Sequence, residues 1–205
     1  MRSIRSIGLA VVAAGLALLL AGCANQVTSE VTRFHRAAPP QGETIAIVPS
    51  NSSMKGSLEF ARYAGLVAAK LSAIGYTVID TGKPQLMAKL DYSVGAGETR
   101  IKSWGGDYVH YHFYYGHSHP FYMGAYWDEP TVYSYVVYPR YLNLNIVQTS
   151  DGAMIFEGKV KSYGTEDSLT GVMPYLVDAM FQNFPGESGV TRAVTIIKRG
   201  DSKPW

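Results

Sequence analysis

The period of hydrophobic and polar positions changes several times along the chain, and each change marks an element. Residues 27–34 alternate β-branched and polar side chains, which predicts a first, edge-like strand, and the run Ala37-Ala38-Pro39-Pro40-Gln41-Gly42 breaks it. Residues 44–48 (Thr-Ile-Ala-Ile-Val) are a continuous apolar run of the kind buried on both faces of a sheet, closed by Pro49 and the polar turn 50–53. Phe60, Ala64, Val67, Leu71 and Ile74 then recur at spacings of four and three, which is one stripe of a helix, while Glu59, Arg62 and Lys70 lie off it. Ser57 is placed to cap that helix and Gly75 to end it in the left-handed conformation. A short strand at 76–80 completes a strand, helix, strand unit, for which a parallel pairing with a right-handed crossover is expected. In 86–94, Leu86, Ala88, Leu90, Tyr92 and Val94 share one face and Lys89, Asp91 and Ser93 the other, so one side packs and one is wet.

Periodicity is lost over 95–130, a Gly-, Tyr-, Trp- and His-rich stretch too long for an ordinary hairpin turn. Tyr and Val alternate again from Val132 to Pro139, where the proline is expected to bend or break the run, and 141–148 places Leu142, Leu144 and Ile146 on one face. Asp151-Gly152 is a tight-turn pair that joins 141–148 to 153–163 as an antiparallel hairpin. Asp167 or Ser168 can cap a second helix reaching Asn183, although Pro174 fits it only in the first turn or at a kink. Pro185-Gly186 ends this helix, and 190–198 alternates as a last strand. The expected fold is a single α/β (α+β) domain over 30–200. Its mixed, mostly antiparallel sheet carries two packed helices, a long aromatic and His-rich insertion at 95–130 and a polar tail at 201–205.

Residues 1–22 follow a different logic. Arg2 and Arg5 precede an apolar or small-residue run at 7–21, ending in Leu20-Ala21-Gly22-Cys23, the pattern of a secretory leader with a lipobox. The run is 15 residues long, and about 20 are needed to cross a hydrocarbon core, so removal is expected rather than retention as a span. Cys23 then becomes the first residue. Its thiolate can take a diacylglyceryl group, and acylation of the new amino terminus supplies the second signal that stable anchoring requires. Residues 23–29 read as the lipidated start and a tether. Cys23 is the one cysteine of the chain, so its acylation leaves no disulfide, thiolate metal site or cysteine nucleophile.

Charge adds an exclusion. The chain carries 18 basic and 16 acidic side chains, and loss of Arg2 and Arg5 leaves the mature part balanced. A neutral chain without a Lys/Arg run has no electrostatic footprint for nucleic acid.

Candidate chemistry concentrates in the aperiodic stretch. His110 and His112, then His117 and His119, are two His-x-His pairs, and residues two apart in extended backbone face the same side, so a hairpin can bring four neutral imidazoles to one zinc or copper ion. The competing reading is an aromatic surface ribbon in which Tyr111, Tyr114, Tyr115 and Trp127 supply rigid amphipathic contacts to an envelope protein, glycan or lipid. Gly95-Ala96-Gly97 has Arg100 where a dinucleotide fingerprint needs its third glycine, and reads as a turn. Gly116-His117-Ser118-His119-Pro120 ends in proline where a nucleophile elbow needs glycine. No nucleophile and base pair emerges, and a non-enzymatic role is expected, with no cofactor beyond a zinc or copper ion.

The assembled pattern resembles a family of bacterial envelope lipoproteins that share a domain of unknown function. The resemblance rests on 27–34 after Cys23, on Ala69-Lys70-Leu71-Ser72-Ala73-Ile74-Gly75-Tyr76, on the 86–92 strand and on the Gly- and Tyr-rich middle. It extends to the 142–158 hairpin with its Asp-Gly turn and to Met180-Phe181-Gln182-Asn183-Phe184-Pro185-Gly186. It implies an α/β domain with helices packed on a mixed sheet and brings no activity with it; the richness in His is this chain's own departure. Ala24, rather than Asp, follows the cysteine, and the likeness to lipoproteins of two-membrane bacteria implies an outer-membrane anchor with the domain facing the periplasm.

Overall fold

The computed structural model describes residues 26–36, 42–104, 109–114, 122–127 and 131–198, with 109–114 and 122–127 as backbone alone. The leader, Cys23, the breaker at 37–41 and the tail at 201–205 lie outside the described residues. The elements are β1 (Gln26–His35), β2 (Thr44–Pro49), α1 (Leu58–Ala73), β3 (Thr77–Val78), β4 (Leu86–Val94), β5 (Glu98–Trp104), β6 (Val109–Tyr114), β7 (Tyr122–Trp127), β8 (Thr131–Gln148), β9 (Met154–Gly164), α2 (Met173–Phe181) and β10 (Val190–Ile197).

Seven strands run in the order β10-β1-β9-β8-β4-β2-β3, β5 pairs with β8 off that path, and β6 pairs with β7 apart from the main sheet. β2 is parallel to β3 and β4, and the remaining pairs are antiparallel. The expected mixed sheet with two helices is present. Among the described residues the sheet has eight strands and strands dominate: the segments expected at 132–139 and 141–148 form the one strand β8, and β5 is added.

One face of the sheet is covered and the other is open. Leu86, Ala88, Leu90 and Tyr92 of β4 are buried, as are Leu142, Leu144 and Ile146 of β8 and Phe156 and Val160 of β9, where they meet Tyr63, Val67 and Leu71 of α1 and Leu176, Val177 and Met180 of α2. α1 starts where Ser57 accepts a hydrogen bond from the Phe60 amide, and Gly75 takes φ +106° just beyond its end, a conformation that costs other residues steric strain. The buried stripe of α1 is shifted from the one expected: Tyr63, Val67 and Leu71 are buried, whereas Phe60, Ala64 and Ile74 flank it half-buried. Tyr63 belongs to the core because its ring meets Tyr92 edge-on at 4.9 Å.

Three expectations are corrected. β1 is not an edge strand, because it lies between β9 and β10, and it begins at Gln26 within the stretch read as tether. Pro139 does not break β8: its carbonyl accepts from the Gly95 amide at 2.8 Å, so its missing N–H faces the three-residue gap between β4 and β5, where a ladder donor is not required. α2 begins at Met173 rather than near Ser168, with Pro174 in its first turn and no side-chain cap at Val172, the position at which proline leaves no helical acceptor unpaired. The α2 end is held from β1 instead. Buried Arg33 donates from Nη2 to the carbonyls of Ala179 (2.9 Å), Met180 (2.8 Å) and Gln182 (3.0 Å), oxygens that the helix end cannot satisfy itself.

Candidate functional site

Among the described residues, the aperiodic stretch 95–130 contains three strands, β5, β6 and β7. Glu98–Trp104 is polar enough to escape a periodicity search, yet it pairs residue for residue with 131–137 of β8. Between Val94 and Glu98 the chain spends three residues against two on β8, so the Gly95–Gly97 segment is a bulge at which the sheet narrows into a two-stranded arm. Both glycines sit under close neighbours: a Cβ would stand 2.7 Å from Pro139 Cγ at Gly95 and 2.7 Å from Val136 Cγ1 at Gly97. Among the described residues, β5 and 131–137 pair only with each other.

All seven residues of β5 and 131–136 of β8 are exposed, including Ile101 and Trp104 at 73% and Val132 at 62%. Opposite residues of an antiparallel pair share a face, and the two faces of the arm differ in chemistry. One carries Thr99, Ile101, Ser103, Val132, Ser134 and Val136. The other carries Arg100, Lys102, Trp104, Tyr133 and Tyr135, with the Tyr133 and Tyr135 rings 6.4 Å apart.

The second face continues onto the open side of the sheet. Arg100 stands 4.3 Å over the Tyr163 ring, and Lys161 stands 4.9 Å over Tyr163 and 5.8 Å over Tyr141. A hydrogen bond with Tyr163 raises the Lys161 pKa, which favours the charged ammonium beside the rings. Glu98 lies 3.9 Å from Arg100 and Glu157 2.9 Å from Lys159, so the surface mixes both signs around an aromatic strip. Large rings with polar edges, flanked by cations, thus line this face of the arm and the adjoining sheet.

Of the sequence-derived candidates, five lie in the β6–β7 ladder. His110 and His112 occupy alternate positions in β6, opposite Tyr126 and Gly124 of β7, with Tyr111 opposite Ala125 and Tyr114 opposite Tyr122. Trp127 closes the β7 end opposite Val109. His117, His119 and Tyr115 lie outside the described residues, as does Cys23. The backbone thus places one His-x-His pair in extended ladder positions. Sequence reading missed Ile101, Trp104 and the row of Arg100, Lys161, Tyr141 and Tyr163. The signal available was the alternation of Arg100, Lys102 and Trp104 against Thr99, Ile101 and Ser103, which pairs with the recognised Tyr/Val alternation of β8.

No curated protein matches the chain. Among solved structures it is similar to a PDZ domain protein from Parabacteroides distasonis, with 14% identity and a TM-score of 0.45 over 83% of this chain. The chain spans 38% of that protein. It is also similar to the PelC dodecamer from Paraburkholderia phytofirmans, with 12% identity and a TM-score of 0.36 over 73% of this chain and 92% of that one. Residues 30–186 match a family described as a domain of unknown function, DUF4136, and the chain belongs to that family.

Proposed function

We propose that this protein is an outer-membrane lipoprotein, anchored through Cys23 and facing the periplasm, that works as a non-enzymatic interaction module of the cell envelope. The exposed two-stranded arm carries the reading. Ile101 and Val132 on one face of the arm and Trp104 on the other are each more than 60% exposed, and large apolar side chains left in water on both faces of one projecting element support a contact role. The leader and lipobox support the address, and the aromatic and cationic row beside the arm supports contact rather than chemistry as the task. Replacing Cys23 by Ser is expected to leave an unprocessed precursor or a soluble form. Normal cleavage with retention in the outer membrane would refute the anchor, and confinement of the wild-type chain to the inner membrane would refute the address.

A second reading has one observation in its favour, the alternate ladder positions of His110 and His112. With His117 and His119 they would form a zinc or copper site whose affinity weakens as pH falls below about 6.5, where imidazole takes protons in place of metal. Calorimetric titration with zinc and with copper decides it. Heat that disappears in the His110→Ala, His112→Ala variant supports the site, and no heat above buffer removes it.

A further inference from the structure

The arm leaves the sheet at the end where β1 starts. β1 and β8 run in the same direction on either side of β9, and carrying the registers across β9 sets Gln26 level with Val137. Beyond that level β8 continues for six residues, Thr131 to Val136, paired with β5. At about 3.3 to 3.4 Å per residue the arm overshoots Gln26 by roughly 20 Å. From Gln26 back to Cys23 there are three residues, which reach at most about 11 Å when fully extended. A lipid attached at Cys23 therefore holds this end of the sheet so close to the bilayer that an arm of this length meets it.

On the reading of Cys23 as the lipid-bearing residue, we infer that the β5–β8 arm is a second membrane contact, lying in the headgroup interface of the leaflet that holds the acyl chains. Its composition fits that depth. Trp104, Tyr133 and Tyr135 are the ring types that settle where one end is apolar and the other wet, Ile101 and Val132 supply aliphatic area, and Arg100 and Lys102 face lipid phosphates. The strands that follow in the chain, Val109–Tyr114 and Tyr122–Trp127, contain no Asp, Glu, Lys or Arg. Two limits keep the arm at the interface rather than across the membrane. The strands of six and seven residues fall short of the roughly 9 to 11 needed to span. The arm's outer edges would also leave backbone groups unpaired in hydrocarbon, which only closed barrels avoid. Acyl chains and arm together fix the domain's orientation, as one attachment point cannot.

The test uses the acylated mature chain with Trp127→Phe and Trp205→Phe, which leaves Trp104 as the sole indole. It is reconstituted into phosphatidylethanolamine and phosphatidylglycerol vesicles with and without acyl-chain bromines. Expected are a blue-shifted Trp104 emission, loss of intensity with brominated lipid, and relief of that loss when Ile101 and Val132 are both changed to Ser while the urea midpoint holds. Water-like, unquenched emission from a chain still bound to vesicles overturns the membrane contact and leaves the anchor intact. A chain whose mass shows no acyl group on Cys23 overturns both. Association of arms from two copies, seen as a dimer by sedimentation that the Ile101→Ser, Val132→Ser chain does not form, overturns it in favour of self-assembly.

Discussion

Tyr76 shows how much one residue can carry in this core. It is buried at the end of the α1 turn, its hydroxyl has no hydrogen-bond partner among the described residues, and burial, then the nearby Glu43 carboxylate, push its pKa up to about 12. An unfolded tyrosine ionises near pH 10, so the folded state keeps a proton that the unfolded state loses. The stability contribution is complete below pH 10 and is lost as pH rises through about 12. Tyr63 and Tyr92, also raised by burial, act in the same direction. Urea midpoints across that window should fall for the native chain and fall less steeply for Tyr76→Phe. At pH 7 the same change should be neutral or mildly stabilising, since it removes a polar atom that makes no bond. The residues legible in the sequence were those with a conformational demand: Ser57, Gly75 and the Asp151-Gly152 turn all do what their types require. Tyr63 was not legible, because a tyrosine on a helix reads as a flank residue until a second ring, Tyr92 on β4, is brought against it.

At the scale of elements, the division between core and arm can be measured directly. Leu71 is fully buried between α1 and the sheet, and Leu71→Ala should cost about 2 to 5 kcal/mol in urea unfolding. Replacing residues 105–130 by Asn-Gly should cost less than about 1 kcal/mol, because Trp104 and Thr131 already face each other at the end of the ladder and a two-residue turn closes it at little entropic cost. Equal losses in the two variants would place the far hairpin in the core. Regular elements with one buried face were read well, β4 and the β8–β9 hairpin above all. Elements without a buried face were not. β5 is exposed throughout, so no period of burial is written into it, and it is defined by its partner strand. The start of α2 was missed for a related reason: Ser168 does accept from the Thr170 amide, but in a local turn before the helix.

The whole molecule is asymmetric. Helices cover one face of the sheet, an aromatic and cationic row marks the other, and the arm and the start of β1 share one end. Periodicity alone could announce the sheet and its two helices but not this layout, since the alignment of Gln26 with Val137 exists only once β1, β9 and β8 are side by side. Hydrogen exchange on the acylated chain bound to vesicles, compared with the Cys23→Ser chain in solution, reads the layout in one measurement. If the protein is a lipid-anchored module that uses its arm, the outward-pointing amides of 98–104 and 131–137 exchange fast in solution, where no ladder partner covers them, and become protected on the vesicle, while those of α1 and α2 do not change. Unchanged exchange in the arm, or protection confined to the helix-covered face, would contradict it.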